Sequence, residues 1–199
     1  GKAVVGSISG TSVTFGTPVQ YATLVGPYVG PATFDSNSNK VVIVYRDQGN
    51  SSYGTAIVGT VDPSDNSISF GTAVVFQSVE THYPSIVFDS SNNKVVVCYR
   101  EGAIANSGQA NVGTVSGTGI SFGSPVTFDS SKVEYISAAY DSNAEKIVVS
   151  YADHGNSKYG TGIVGTVSGT SISFGSAAVF NSGHTTYTVS YTHLRAHET

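Results

Sequence analysis

The chain has 199 residues, a formal net charge of -4, 39% hydrophobic residues and only 11% charged ones. Its few charges form no blocks of like sign, which leaves no electrostatic footprint for nucleic acid or an anionic membrane, and no run reaches the roughly 18 to 20 apolar residues of a membrane-spanning helix. Abundant Gly, Ser, Thr, Val and Tyr with almost no helix signal point to a globular all-β chain rather than a disordered one.

One pattern occurs three times, at Lys40–Asp47, Lys94–Glu101 and Lys146–Asp153, with 54 residues from Tyr45 to Tyr99 and 52 from Tyr99 to Tyr151. Other landmarks keep the step: Phe15, Phe70, Phe122 and Phe174 each precede a Gly, and Phe34, Phe88 and Tyr140 each precede an Asp. A fixed period of this size marks a repeat protein. From the start, residues 1–6 match 53–59, so the chain is expected to begin in mid-repeat and residues 1–22 to form the outer half of a unit.

Each full repeat reads as four short strands; in the middle copy these are 82–88, 94–100, 109–115 and 119–128. The first two are joined by Asp89–Asn93, as by Asp35–Asn39 and Asp141–Glu145 elsewhere, because Asp and Asn side chains close local turns and tolerate left-handed backbone. The last two are joined by Ser116-Gly117-Thr118, matched by Ser9-Gly10-Thr11 and Ser168-Gly169-Thr170, and by the longer Asp62–Asn66. The second strand is apolar at successive positions, Val41–Tyr45 and Val95–Tyr99, so both of its faces are expected to be buried between stacked sheets. The glycine after each Phe lies inside a strand, where a bulge or a close backbone approach is the usual cause, and a bulge is the expectation here.

Four antiparallel strands in about 50 residues fit a propeller blade; a β-helix coil is shorter and an immunoglobulin-like domain needs about 100 residues. The expected fold is therefore all-β, an open arc of β-propeller blades at 27–76, 82–128 and 134–180, the next blade starting at 181–188. Blades are expected to begin near Tyr28, His82 and Glu134, after the longest joints. At 192–193 the repeat calls for an aromatic-Asp pair, yet Thr192 and His193 stand there. Residues 189–199 look like a translated DNA-sequencing adapter, an expected non-native tail on part of a longer parent chain whose remainder would be a partner. Cys98, the single cysteine, is expected to be a buried small hydrophobe.

The run Tyr45–Gly54, with Ile57–Val61 and Ser69–Thr72, resembles tandem repeats of marine metagenomes, including phage tail-fibre-like and bacterial surface proteins, over residues 1–188. More distantly the repeats resemble kelch-type and sialidase-type propellers without either family's motif. The resemblance implies an extracellular, cell-surface or virion setting and no particular activity.

For chemistry, the phosphate-loop, paired-cysteine, zinc-helix and nucleophile-elbow motifs are absent. A sialidase needs three clustered arginines, and the repeat supplies Arg46 and Arg100 with Ala152 in the third copy, so repetition explains them better than catalysis. Asp47, Glu101 and Asp153 recur at one position and read as loop formers before they read as an acid–base pair. The Asp35–Asn39 turn opens like a calcium loop but has Lys40 and Arg46 where that loop needs Gly and Glu, so no metal or cofactor is expected. His82, His154 and His184 keep no ligand spacing and are expected to face solvent.

One rim remains. It is expected to carry Arg46, Asp47, Asn50 and Tyr53 in one repeat, His82, Tyr83, Arg100 and Glu101 in the next, and Tyr135, Asp153, His154, Asn156 and Tyr159 in the third. Tyrosines beside Asn, Asp and Arg suit sugars, because the ring stacks on C–H groups while fixed polar groups meet hydroxyls. The expected function is non-enzymatic binding of a surface glycan or protein receptor. A glycan-acting enzyme and a structural spacer are the alternatives, and Gly102–Ser107 in the middle copy departs from the Gly-Asn-Ser loop as an enzyme's one irregular repeat would.

Overall fold

The computed structural model describes residues 1–27, 30–103 and 105–190, and in them the chain is all-β with antiparallel pairing throughout. The leading strands are β1 (Lys2–Ala3), β2 (Gly6–Ser9), β3 (Ser12–Phe15) and β4 (Val19–Gln20), paired β1 with β4 and β2 with β3. The first full unit has β5 (Ala32–Asp35), β6 (Lys40–Asp47), β7 (Tyr53–Asp62) and β8 (Ser67–Phe70), followed by β9 (Val74–Asp89). The second has β10 (Lys94–Glu101), β11 (Ser107–Ser116) and β12 (Gly119–Phe122), then β13 (Val126–Asp141). The third has β14 (Lys146–Asp153), β15 (Tyr159–Ser168), β16 (Ser171–Phe174) and β17 (Ala178–His184), with a short 3-10 turn at His154–Asn156.

The links between units are strand rather than loop. In β9, residues 74–80 pair with β7 and residues 81–89 pair with β10, and β13 divides in the same way between β11 and β14. Because β9 and β13 each serve two neighbours, hydrogen bonding runs without a break through a thirteen-stranded sheet. The expected fourth strand, 119–128, is in fact two pieces, β12 and the start of β13, separated at Gly123–Pro125. The expected start at Tyr28 lies outside the described residues, as does the expected tail 189–199 beyond Ser190. Up to that residue the repeat's hydrogen bonding continues: Ser190 N donates to Ser137 Oγ as Ala138 N donates to Ser85 Oγ.

The apolar second strands do bury both faces. Val42 and Val44 lie in one cluster with Val95, Val97 and Tyr99 of the following unit, while Ile43 and Tyr45 pack the other way, against Tyr21, Ala22 and Val25. Val96 and Cys98 likewise meet Ile147, Val149 and Tyr151 of the third unit. Alternation of side chains along an extended strand sends neighbours to opposite faces, and here each face meets a different unit. Burial pushes the Cys98 thiol up to about 12, as expected of a small core residue.

An aromatic triad marks every contact between units. Tyr21 stacks on Tyr45 and Phe70, Phe76 on Tyr99 and Phe122, and Phe128 on Tyr151 and Phe174, with ring centroids 5.2–5.8 Å apart. The glycine after the Phe explains why the sheets come so close. A Cβ on Gly16, Gly71 or Gly123 would overlap the carbonyl oxygen of Asn66, Thr118 or Thr170, each in the turn that ends the following unit's third strand. The expected bulge is therefore a close approach of the neighbouring backbone.

The opposite end of each unit is closed by the Asp turns. Asp89 is buried, and its Oδ1 accepts from the backbone N–H of Ser91 and of Asn92 at 3.0 Å each, while Asn93 takes φ 53°. Asp35 and Asp141 repeat this with Asn37 and Ser38, and with Asn143 and Ala144. Asp89→Ala strips the acceptor from two backbone donors and should lower stability by about 1–2 kcal/mol. Chemical denaturation checks it, and a change under about 0.3 kcal/mol would refute the turn's role.

The middle unit differs in its core. Asn111 stands where the neighbours have Ile57 and Ile163, and it accepts from the Tyr99 hydroxyl at 2.6 Å and donates to the Gly123 carbonyl at 2.9 Å. Gln109 extends this to Gln77 of the preceding unit at 3.1 Å. The departure at Gly102–Ser107 is thus accompanied by a polar network that is buried at Tyr99 and Asn111 and half-buried at Gln77 and Gln109.

Candidate functional site

The ends of the second strands and the β6–β7, β10–β11 and β14–β15 connections lie together, because Glu101 pairs with Thr81 at the end of the ladder away from the Asp turns. In the second and third units the ladder of first and second strands also carries a break in register at this end, between Cys98 and Arg100 on β10 and between Glu134 and Ser137 on β13. At these two breaks the backbone turns left-handed at a tyrosine, with φ 49° at Tyr83 and 54° at Tyr135, and it does so again at Tyr187, outside any strand, with φ 54°. A non-glycine residue there costs roughly 1 kcal/mol or more, so three such tyrosines at a 52-residue step form a built feature.

The three rings form a column. Tyr83 and Tyr135 lie 5.3 Å apart, Tyr135 and Tyr187 4.9 Å apart, and the Arg100 guanidinium carbon sits 5.0 Å from the Tyr83 ring centre. A guanidinium at that distance is attracted by the ring's negative face. Together with Ile136, Thr188 and Val189 the tyrosines line a cleft of about 450 Å³, and Tyr187 is largely exposed. A second cleft of about 320 Å³ brings Asp47 and Asn50 together with Tyr21, Leu24 and Tyr45.

Beside the column, charged groups bridge successive units. Arg100 Nη1 donates to Glu134 Oε1 at 3.1 Å, Lys132 Nζ lies 2.9 Å from the same oxygen, and His154 Nε2 lies 2.8 Å from Glu134 Oε2. One unit back, Arg46 pairs with Glu80 and reaches His82 Nδ1 at 3.4 Å. Burial alone would raise Glu134, but hydrogen bonds from Lys132 and His154 outweigh it and hold the carboxyl at about 2. His82 is lowered, first by burial and then by the nearby Arg100 charge.

These pairs correct the expectation that His82 and His154 face solvent, since both side chains are mostly buried among charged partners, whereas His184 is exposed. The sequence does not show that pairing because Arg46 and Glu80 are 34 residues apart, on β6 and β9. Asp47, Glu101 and Asp153 take loop-forming parts: each accepts a backbone N–H two residues on, from Gly49, Ala103 and Gly155. Tyr53 and Tyr159 are half-buried opposite Asp47 and Asp153, and Asn156 is exposed at the end of the 3-10 turn. Of the thirteen expected residues, Tyr83, Arg100 and Tyr135 meet at the column and Asp47 and Asn50 at the second cleft. Tyr187, Ile136, Lys132 and Tyr21 join them unforeseen; for Tyr187 the 52-residue step after Tyr135 was the available signal.

The chain matches no protein-family model and no curated protein. Among the described residues no group of three or more His, Cys, Asp or Glu side chains could hold a metal ion, and no helix is long and apolar enough to cross a membrane.

His82 and Glu134 separate in pH. His82 in the folded chain lies below its ordinary 6.5, so its contribution is complete above that pH and is lost as pH falls below it; Glu134, held at about 2 from 4.5, contributes above 4.5 and loses that contribution between 4.5 and 2. Melting temperatures measured from pH 8 to 2 should therefore fall less steeply below pH 6.5 in His82→Gln, and less steeply below pH 4.5 in Glu134→Gln. Parallel profiles in wild type and variants would contradict the assignment.

Proposed function

We propose that the chain is an open arc of β-propeller blades, of the kind found in tail-fibre-like or bacterial surface proteins, whose loop rim binds surface glycans without transforming them. Units of four antiparallel strands stacked through both faces of their second strands support the blade reading. The observation that carries the binding reading is the column of Tyr83, Tyr135 and Tyr187, each kept in left-handed backbone at a 52-residue step. Strain repeated at one position persists where a geometry is needed.

A tyrosine column with one exposed end offers ring faces to the C–H side of a pyranose, and the neighbouring Arg100, Glu134 and Thr188 offer donors and acceptors for its hydroxyls. Several such contacts along a repeating rim suit a polyvalent glycan, where weak sites act together. The carboxylates that an acid–base mechanism would use are bonded to their own loops, at Asp47, Glu101 and Asp153, which supports binding over turnover. A glycan array probed with the chain should give hits, and Tyr187→Ala should weaken the best of them by about 0.5–1.5 kcal/mol, or about two- to tenfold. No hit with a folded chain would favour a spacer, and released sugar would favour an enzyme.

A further inference from the structure

Where the second and third units meet, the repeat changes its chemistry at two positions. One contact earlier, the Tyr99 hydroxyl donates to Asn111 at 2.6 Å and lies beside Gln109, which also accepts from Gln77. In the next copy Asp129 stands in the place of Gln77 and Ile163 in the place of Asn111. The phenol there has lost its amide. Tyr151 is 0% exposed and its hydroxyl is buried, and Asp129 approaches it without the geometry of a hydrogen bond. A buried hydroxyl in that state calls for a water or an ion that the side chains around it do not supply.

Two carboxylates frame this hydroxyl. Asp129 Oδ1 accepts from the Ser131 N–H and Asp153 Oδ1 from the Gly155 N–H, both at 2.8 Å, so each carboxylate holds its own loop with one oxygen and keeps the other. A Cβ on Gly155 would overlap Ser131 Oγ and sit 3.1 Å from Asp153 Oδ1, so the two loops meet there. Burial and then the Asp129 charge raise the Asp153 carboxyl, as expected of two carboxylates that share a site. Lys132 and His154, next to the pair in sequence, are held by Glu134 at 2.9 and 2.8 Å.

We infer that Asp129 and Asp153, together with the Tyr151 hydroxyl and Ser131 Oγ, hold a calcium ion that ties the second unit to the third. All four donors are oxygens, which suits calcium, whereas zinc favours nitrogen and sulfur and magnesium demands a strict octahedron and keeps most of its waters. The two preceding contacts carry one carboxylate each, Asp47 with Ala22 and Glu101 with Gln77, so the ion belongs to this contact alone. Two carboxylates and two hydroxyls are a sparse set, which places the dissociation constant at about 0.1–1 mM. None of the four residues lines the tyrosine cleft, so calcium binding is independent of the glycan reading.

Calorimetric titration of calcium chloride into the chelator-treated 199-residue chain should show one site per chain in that range, and about 10 mM calcium should raise the melting temperature by about 3–6 °C. Magnesium chloride at the same concentration and sodium chloride at the same ionic strength should do much less. Asp129→Asn keeps the acceptor for Ser131 and should weaken calcium binding at least about tenfold, and Tyr151→Phe keeps the ring and should weaken it several-fold. A folded wild type with no calcium-specific heat or shift overturns the proposal. So does an equal response to magnesium, or calcium binding as tight as wild type in either variant.

Discussion

Gly123→Ala is expected to destabilise the chain by at least about 3 kcal/mol, while Gly175→Ala at the same place in the third unit should shift it by less than about 0.5 kcal/mol. At Gly123 the added carbon would overlap the carbonyl oxygen of Thr170 and sit 3.0 Å from its carbonyl carbon, and both belong to backbone held in the β15–β16 turn. No flexible side chain is there to move aside, so relief requires the second and third units to separate along their whole contact. Gly175 has no such neighbour. A domain of this kind is stable by only about 5–15 kcal/mol, so the first substitution should be visible in a single urea titration. Equal effects at the two glycines would mean that strand geometry, and not contact between sheets, sets the need for glycine.

The second large effect is expected at Phe128. Its ring is buried, 5.2 Å from Tyr151 and 5.6 Å from Phe174, and truncation to Ala removes the centre of the triad that joins the second and third units. A loss of about 3–5 kcal/mol follows from the lost transfer and the cavity together. Phe180→Ala, at the same position in the third unit, should cost less than about 0.5 kcal/mol. Thermal unfolding of both variants gives the comparison, and a Phe128→Ala chain as stable as Phe180→Ala would refute the triad.

Much of this architecture is legible in the residues alone. The unbroken apolar run Val41–Tyr45 required a sheet on either side, and the Asp89–Asn93 turn carried its own hydrogen-bonding logic. What stayed hidden were contacts between units. Gly123 read as a bulge because its partner, Thr170, is 47 residues further along, and nothing local distinguishes a glycine that bends a strand from one that admits a neighbour. The link at Gln77–Thr81 read as a loop because polar residues interrupt it, although both of its ends pair along an unbroken strand. At the rim, the tyrosine positions were visible as a period, but their left-handed backbone and their stacking depend on how three first strands lie side by side.

Where a glycan touches the rim is measured directly by nuclear magnetic resonance of the chain with labelled tyrosines, titrated with the best glycan from the array. Shifts should concentrate on the rings of Tyr187, Tyr135 and Tyr83, falling off along the column from the exposed end. Shifts confined to tyrosines away from this column, such as Tyr140 beside the Asp turns at the opposite end, would contradict binding there.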